Sequence, residues 1–392
     1  MFPRILLAIA LAGAMAPRLA SADAGDDQYK VAAGHYARSR WQLSIEEFQN
    51  LLGDYPDHPK AEQSAFFLAE ALLQVDQLAD ARTQFRAFFE KHPESRFARQ
   101  ARFRAGEASY LLDELDIAKQ ELEAFRAKHP DDALDSFALP YLGEIALASD
   151  DFPLALQLFQ QGLQRFPEGA MQDDCRFGLA RALDKTGQSE EAQRLYLAVA
   201  SKAASPLADD AQFHLGALEY EQADYESALA TFESFETTFK ESPFKPRARL
   251  GRGWCLFQTG RYDKARAFFE ALRKNPEVAT EAGYWLGLTY KAEKNWPLAA
   301  ETLAGLTVEA GDELAPAVAF HLGEALVRSG KETEAAASFA RVLAEWPASP
   351  WADDSLLASA QMGLAAGDHA AVDERIGRLL TDHPASPLAT EA

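Results

Sequence analysis

Pro56, Pro93, Pro130 and Pro167 are each 37 residues apart, and Pro347 and Pro384 show the same spacing. Each follows a helix-like segment, as in Phe-Phe-Glu-Lys-His-Pro at 88–93 and Phe-Arg-Ala-Lys-His-Pro at 125–130. Proline lacks an N–H and pushes the preceding residue out of the α region, so it ends helices. A second marker runs in phase. A small residue recurs at Ala32, Ala69, Gly106, Gly143, Ala180, Gly216, Gly253, Gly287, Gly323 and Ala360, at intervals of 37, 37, 37, 37, 36, 37, 34, 36 and 37. Twelve residues after each stand Ser44, Ala81, Ala118, Ala155, Ala192, Ala228, Ala265, Ala299, Ala335 and Val372. Four residues later come bulky ones: Phe48, Phe85, Leu122, Phe159, Tyr196, Phe232, Phe269, Leu303, Phe339 and Ile376. Ten copies in register define the architecture.

Two antiparallel helices approach most closely where their side chains are smallest. The small residue and its partner twelve positions on are expected to set that contact across a turn. The bulky residue one helical turn later lies on the same face and fills the adjoining space. One such hairpin cannot bury its own apolar face, but stacked neighbours bury a continuous core. Turns fit the scheme. Gly187, Gly260 and Gly330 sit where the chain leaves a first helix with positive φ. Ser-Pro pairs at 205–206, 242–243, 349–350 and 386–387 mark loops between repeats.

This pattern resembles the tetratricopeptide repeat. Its clearest copy runs from Phe320-His321-Leu322-Gly323 through Gly330, Ala335 and Phe339 to Pro347. The 36–37-residue period with Tyr-Pro or His-Pro endings is similar to repeats of bacterial envelope proteins. Examples are the periplasmic accessory protein of the Tol-Pal system and the assembly-factor lipoprotein of the outer-membrane β-barrel machine. The resemblance implies an all-α fold, a right-handed superhelical α-solenoid of about ten helix-turn-helix repeats over residues 26–384. Residues 385–392 echo the start of a further repeat, which leads us to expect a sticky last repeat and self-association there. Partners are expected to be proteins, gripped along the groove that first helices line in this family.

Residues 1–22 read as a signal peptide: Arg4, an apolar run from Ile5 to Ala16 too short to span a bilayer, and the small-residue cleavage pattern Ala20-Ser21-Ala22. The expected location is therefore periplasmic or extracellular, with no membrane span in the mature chain. The formal net charge is −21, and loss of Arg4 and Arg18 makes it two charges more negative. Such a field repels nucleic acid, and no Lys/Arg cluster offsets it. Cys175 and Cys255 fall at different repeat positions and read as buried apolar residues rather than a disulfide.

Of the eight histidines, His58, His92, His129 and His383 precede prolines at repeat junctions, and His214 and His321 recur in Phe-His-Leu-Gly. No metal-ligand spacing, phosphate-cradling loop or nucleophile motif emerges, so no cofactor, metal or catalysis is expected. Binding surfaces remain. Three residues before the small marker stand Tyr29, Phe66, Phe103, Phe177, Phe213, Tyr284 and Phe320, and one residue after it stand Glu70, Glu107, Glu144 and Glu324. With Tyr220, Trp254 and Phe257 they form a candidate aromatic and acidic ladder for an extended peptide or a sugar chain. The competing reading is that these rings pack between helices.

Overall fold

The computed structural model describes residues 24–390 apart from 203 and 310. The signal-peptide reading of residues 1–22 lies outside the described residues. The chain divides after Leu207 into two compact units, a division that the unbroken period of the sequence does not announce. The first unit holds α1 (Ala24–Ala37), α2 (Trp41–Asp54), α3 (Ala61–Gln74), α4 (Leu78–Lys91), α5 (Ala98–Leu111), α6 (Leu115–Lys128), α7 (Asp135–Ala148), α8 (Phe152–Arg165), α9 (Gln172–Lys185) and α10 (Ser189–Ala200). The second holds α11 (Ala208–Glu221), α12 (Tyr225–Thr238), α13 (Lys245–Gln258), α14 (Tyr262–Leu272), α15 (Ala279–Ala292), α16 (Trp296–Ala304), α17 (Ala315–Arg328), α18 (Glu332–Glu345), α19 (Ala352–Ala366) and α20 (His369–Asp382), then a 3-10 turn at Pro387–Thr390. Among the described residues there is no strand, and no helix is long and apolar enough to cross a membrane.

The register read from the sequence is the register of the core. The small markers and their partners twelve residues on are buried from Ala32 and Ser44 to Gly323 and Ala335. In the first repeat the helices come close enough for Ser44 Oγ to donate to the Ala32 carbonyl at 3.2 Å. The bulky residue sixteen positions after each glycine fills the space a side chain would take. A Cβ on Gly106 would stand 2.8 Å from Leu122, and one on Gly253 2.5 Å from Phe269.

Every first helix ends alike. The residue seven positions after the small marker has positive φ in all ten repeats: Ser39, Asp76, Asp113, Asp150, Gly187, Ala223, Gly260, Lys294, Gly330 and Gly367. The next residue's N–H returns to the carbonyl five positions back, as in Asp151 to Ala146 and Gln188 to Leu183, both 2.8 Å. This satisfies the last carbonyls of the helix and turns the chain into its partner. Second helices end as the prolines foretell: Tyr55, His92, His129, Phe166, Trp346 and His383, each just before a proline or the residue preceding it in the loop, leave the helical region at ψ between 55° and 66°. Repeats without that proline include the shortest second helices, α14 with 11 residues and α16 with 9.

The serines of the inter-repeat loops join one repeat to the next. Ser242 Oγ accepts from the Phe244 N–H at 3.1 Å and donates to Asp209 at 2.7 Å. Ser95 with Glu62 and Ser386 with Asp353 repeat the arrangement. First helices also meet the next first helix within each unit, as α5 does α7 and α13 does α15. Among the described residues no second helix meets the next second helix comparably. Each unit is therefore drawn together on its first-helix side.

Candidate functional site

The rings three residues before the small marker are largely structural. Phe66 stacks on Phe97 with centroids 4.5 Å apart and planes 12° apart. Phe213 stacks on Phe244 at 5.4 Å and Phe320 on Trp351 at 5.1 Å. In each pair the second ring is the residue that caps the next first helix, so the stack locks one repeat onto its successor. Phe66 and Phe103 are wholly buried, and Phe177, Tyr284 and Phe320 nearly so. These five rings belong to the core and offer little surface to a ligand, which corrects the ladder expected from sequence. Tyr29 is half-buried beneath the Lys60 ammonium, 5.2 Å from its ring centroid.

The acidic row is likewise spoken for. Arg104, 1% exposed, donates through Nε to Glu70 at 2.9 Å and through Nη1 to Glu107 at 2.5 Å. Tyr141 Oη donates to the other Glu107 oxygen at 3.0 Å. Both glutamates are buried, so they are internal network members and not groove contacts. Burial pushes the Glu70 carboxyl above its usual range, against the pull of Arg104. Burial also opposes the Arg104 charge, but Glu107 and Glu70 outweigh it and keep the guanidinium protonated. Glu144 pairs with Arg181 at 2.8 Å. Glu324 pairs with Lys291 and meets His321 Nδ1 at 2.7 Å.

The second unit carries a linked set of accessible aromatic residues on its first helices. Tyr220, Trp254 and Phe257 are half-buried there. Trp254 lies 5.8 Å from Tyr220 and 6.0 Å from Trp285, and Phe257 lies 5.3 Å from Trp285. Trp285 continues to Tyr284 at 5.9 Å, and Tyr284 to His321 at the same distance. The result is an accessible aromatic ribbon over α11, α13 and α15, joined through the buried Tyr284 to His321 of α17. Among the described residues Trp254 Nε1 finds no hydrogen-bond partner, whereas Tyr220 Oη accepts from Gln258 at 3.0 Å. Trp285 was not singled out in the sequence because it stands two residues before its small marker, a position that varies from Lys30, Phe67 and Arg104 to Gly178, Gly251 and Ala358 in other repeats.

The ribbon can stack on planar or apolar groups. Among the described residues no group of three or more His, Cys, Asp or Glu is arranged to hold a metal ion. Cys175 and Cys255 are free and buried, and burial pushes both thiols up to about 12.

Tetratricopeptide repeat models match residues 63–87, 100–132, 146–215, 210–242, 233–280 and 284–350. No curated protein matches the chain. Among solved structures, the apo form of the quorum sensor NprR from B. thuringiensis is similar with a TM-score of 0.55 at 14% identity, over 81% of this chain and 97% of that one. A human IFIT1 dimer with m7Gppp-AAAA is similar with a TM-score of 0.50 at 15% identity, over 95% of this chain and 89% of that one. A tetratricopeptide repeat protein from Parabacteroides merdae gives 0.48 at 16% identity, over 68% and 98% of the two chains. At these identities the likeness is one of fold. The matched segments are the hairpins that the small-residue register marks, and the chain belongs to the tetratricopeptide repeat family.

Proposed function

We propose that this chain is an exported, non-catalytic scaffold that holds polypeptide partners of a bacterial cell-envelope assembly against the first helices of its repeats. The family's repeats imply a protein-interaction scaffold. The observation that carries the reading further is the aromatic ribbon Tyr220–Trp254–Trp285 with Phe257. Half-buried aromatic residues on a rigid helical face bury large area at low entropic cost, which is the character of interface hot spots. Export rests on Arg4, the Ile5–Ala16 run and Ala20-Ser21-Ala22. Self-association belongs to the same proposal, resting on Leu364 of α19 and Leu380 of α20, which are exposed. A strictly monomeric species in sedimentation at high concentration removes that element.

The test is photo-cross-linking in intact cells from a photoreactive residue at Gln258, which is exposed at the end of α13 beside Tyr220. The control is the same residue at Ala267, exposed on the second helix α14. Discrete protein adducts from position 258 alone support the scaffold. Equal adducts from both positions refute it. The same ribbon favours a second reading, a polysaccharide- or peptidoglycan-binding module, because tryptophan faces also stack on sugar rings. Retention on peptidoglycan without protein adducts selects that reading. Export is checked by the N-terminal sequence of the mature protein, expected to begin near Asp23 in an extracytoplasmic fraction.

A further inference from the structure

In the second unit, the first helices α17 and α19 and the second helix α18 part to leave a cavity of about 400 Å³. Its floor is apolar, with Phe320, Val327, Leu357 and Met362 in the wall. Its polar lining is three carboxylates, Glu324, Glu332 and Asp354, with Gln361 and a single cation, Arg328. Glu324 is already neutralised by Lys291. Asp354 is not: its backbone N–H bonds to Asp353, but among the described residues its carboxylate meets no donor. Burial pushes that carboxyl above its usual range, and Asp353 and Glu324 push it the same way. Half-exposed and without a protein donor, that carboxylate is open to a cation that enters the cavity.

The first unit places a carboxylate in the same register. Asp174 stands six residues before the small marker Ala180, as Asp354 does before Ala360. It faces the charge of Glu144 as Asp354 faces that of Glu324. Asp174 is 6% exposed, and its Oδ1 has no partner. At this helix position Asp26 and Asp210 meet His58 and His214, whereas Asp174 and Asp354 meet no cation among the described residues.

We propose that the cavity between α17, α18 and α19 receives an arginine or lysine side chain of a polypeptide lying on the first-helix face, its aliphatic stem against Leu357 and Met362 and its charged head at Asp354. The chemistry is complementary at both ends. A long cationic side chain has an apolar stem and a charged tip, which is the polarity of this cavity from wall to lining. The chain's net charge of −21 adds long-range attraction for a basic partner. The inference rests on the reading that the first helices of the second unit bind a polypeptide, and it specifies one side chain of that partner.

The experiment uses the full mature chain and a positional-scanning dodecapeptide library whose central residue is fixed as arginine, lysine, norleucine or glutamate, with binding read by fluorescence anisotropy. The arginine and lysine sets are expected to bind roughly tenfold tighter than the norleucine set, the factor one charged hydrogen bond supplies. Asp354→Asn is expected to abolish that preference, and Asp354→Lys to transfer it to the glutamate set, with helicity unchanged by circular dichroism. Equal binding of arginine and norleucine sets, or a preference that survives Asp354→Asn, overturns the cationic pocket while the docking reading stands. Failure of all four sets to bind overturns both.

Discussion

A Cβ placed on Gly143 would stand 2.6 Å from the ring of Phe159, which is wholly buried. Gly178, on the first helix of the next repeat, faces the same ring from the other side. The phenylalanine is thus clasped between two glycine backbones, one in its own hairpin and one in its neighbour. Gly143→Ala and Gly178→Ala are each expected to destabilise the first unit by about 1–3 kcal/mol through overpacking. That loss outweighs the higher helix propensity of alanine. In a Phe159→Leu background each substitution is expected to cost less, because the residues share one space. Urea midpoints of the single and double variants check the coupling, and strict additivity contradicts it.

The turn after each first helix supplies a prediction of opposite sign. Ala223 and Lys294 hold φ values of 60° and 59°, where a Cβ crowds the following carbonyl. Gly187, Gly260, Gly330 and Gly367 occupy the same position without that crowding. Ala223→Gly and Lys294→Gly should each stabilise the second unit by about 1 kcal/mol. Gly260→Ala should lose a similar amount. The measurement is the thermal midpoint of each variant, and a fall for the glycine substitutions would count against the turn geometry.

The charge network of Arg104 should break sharply and rebuild quietly. Arg104→Met leaves Glu70 and Glu107 buried without their cation and is expected to cost about 3–5 kcal/mol. Replacing the network together, as Glu70→Leu, Arg104→Met, Glu107→Leu and Tyr141→Phe, should return most of that stability, since no charge or hydroxyl is then stranded. Denaturant unfolding of the single and quadruple variants decides. If both lose equally, the network contributes through something other than charge compensation.

How much of this was readable beforehand follows from how each feature is encoded. Gly143, Ala155 and Phe159 recur at fixed spacing in nearly every repeat, so the hairpin contact stands in the sequence. The turn does so only in part: Gly187, Gly260 and Gly330 reveal positive φ, while Ser39, Ala223 and Lys294 adopt it although their residue types do not favour it. The binding face was harder to read. Glu70 and Glu107 look like a groove row until Arg104, two residues before its own small marker, is seen to lie between them. Phe66 and Phe320 look like free rings until the residues capping the next helix stack on them. Both facts depend on contacts between repeats, which a period within one repeat does not carry.

Asp174 gives the clearest dependence on pH. Burial, joined by the charges of Asp173 and Glu144, pushes its carboxyl up to about 6 from an ordinary 3.8. The native state therefore holds this proton more tightly than the unfolded chain does. Its favourable contribution is complete below the unfolded value, shrinks as pH rises, and is lost above about 6. The difference of about two pKa units corresponds to roughly 3 kcal/mol as an upper bound. Asparagine has the same shape and no charge, so Asp174→Asn should match the parent near pH 4 and exceed it in stability at neutral pH by up to ~3 kcal/mol. Urea midpoints across that interval, with amide exchange in α9 reporting the repeat itself, make the test. An asparagine variant that is weaker at neutral pH would mean the carboxylate is already satisfied within the fold, and the idea that it waits for a partner's cation would go with it.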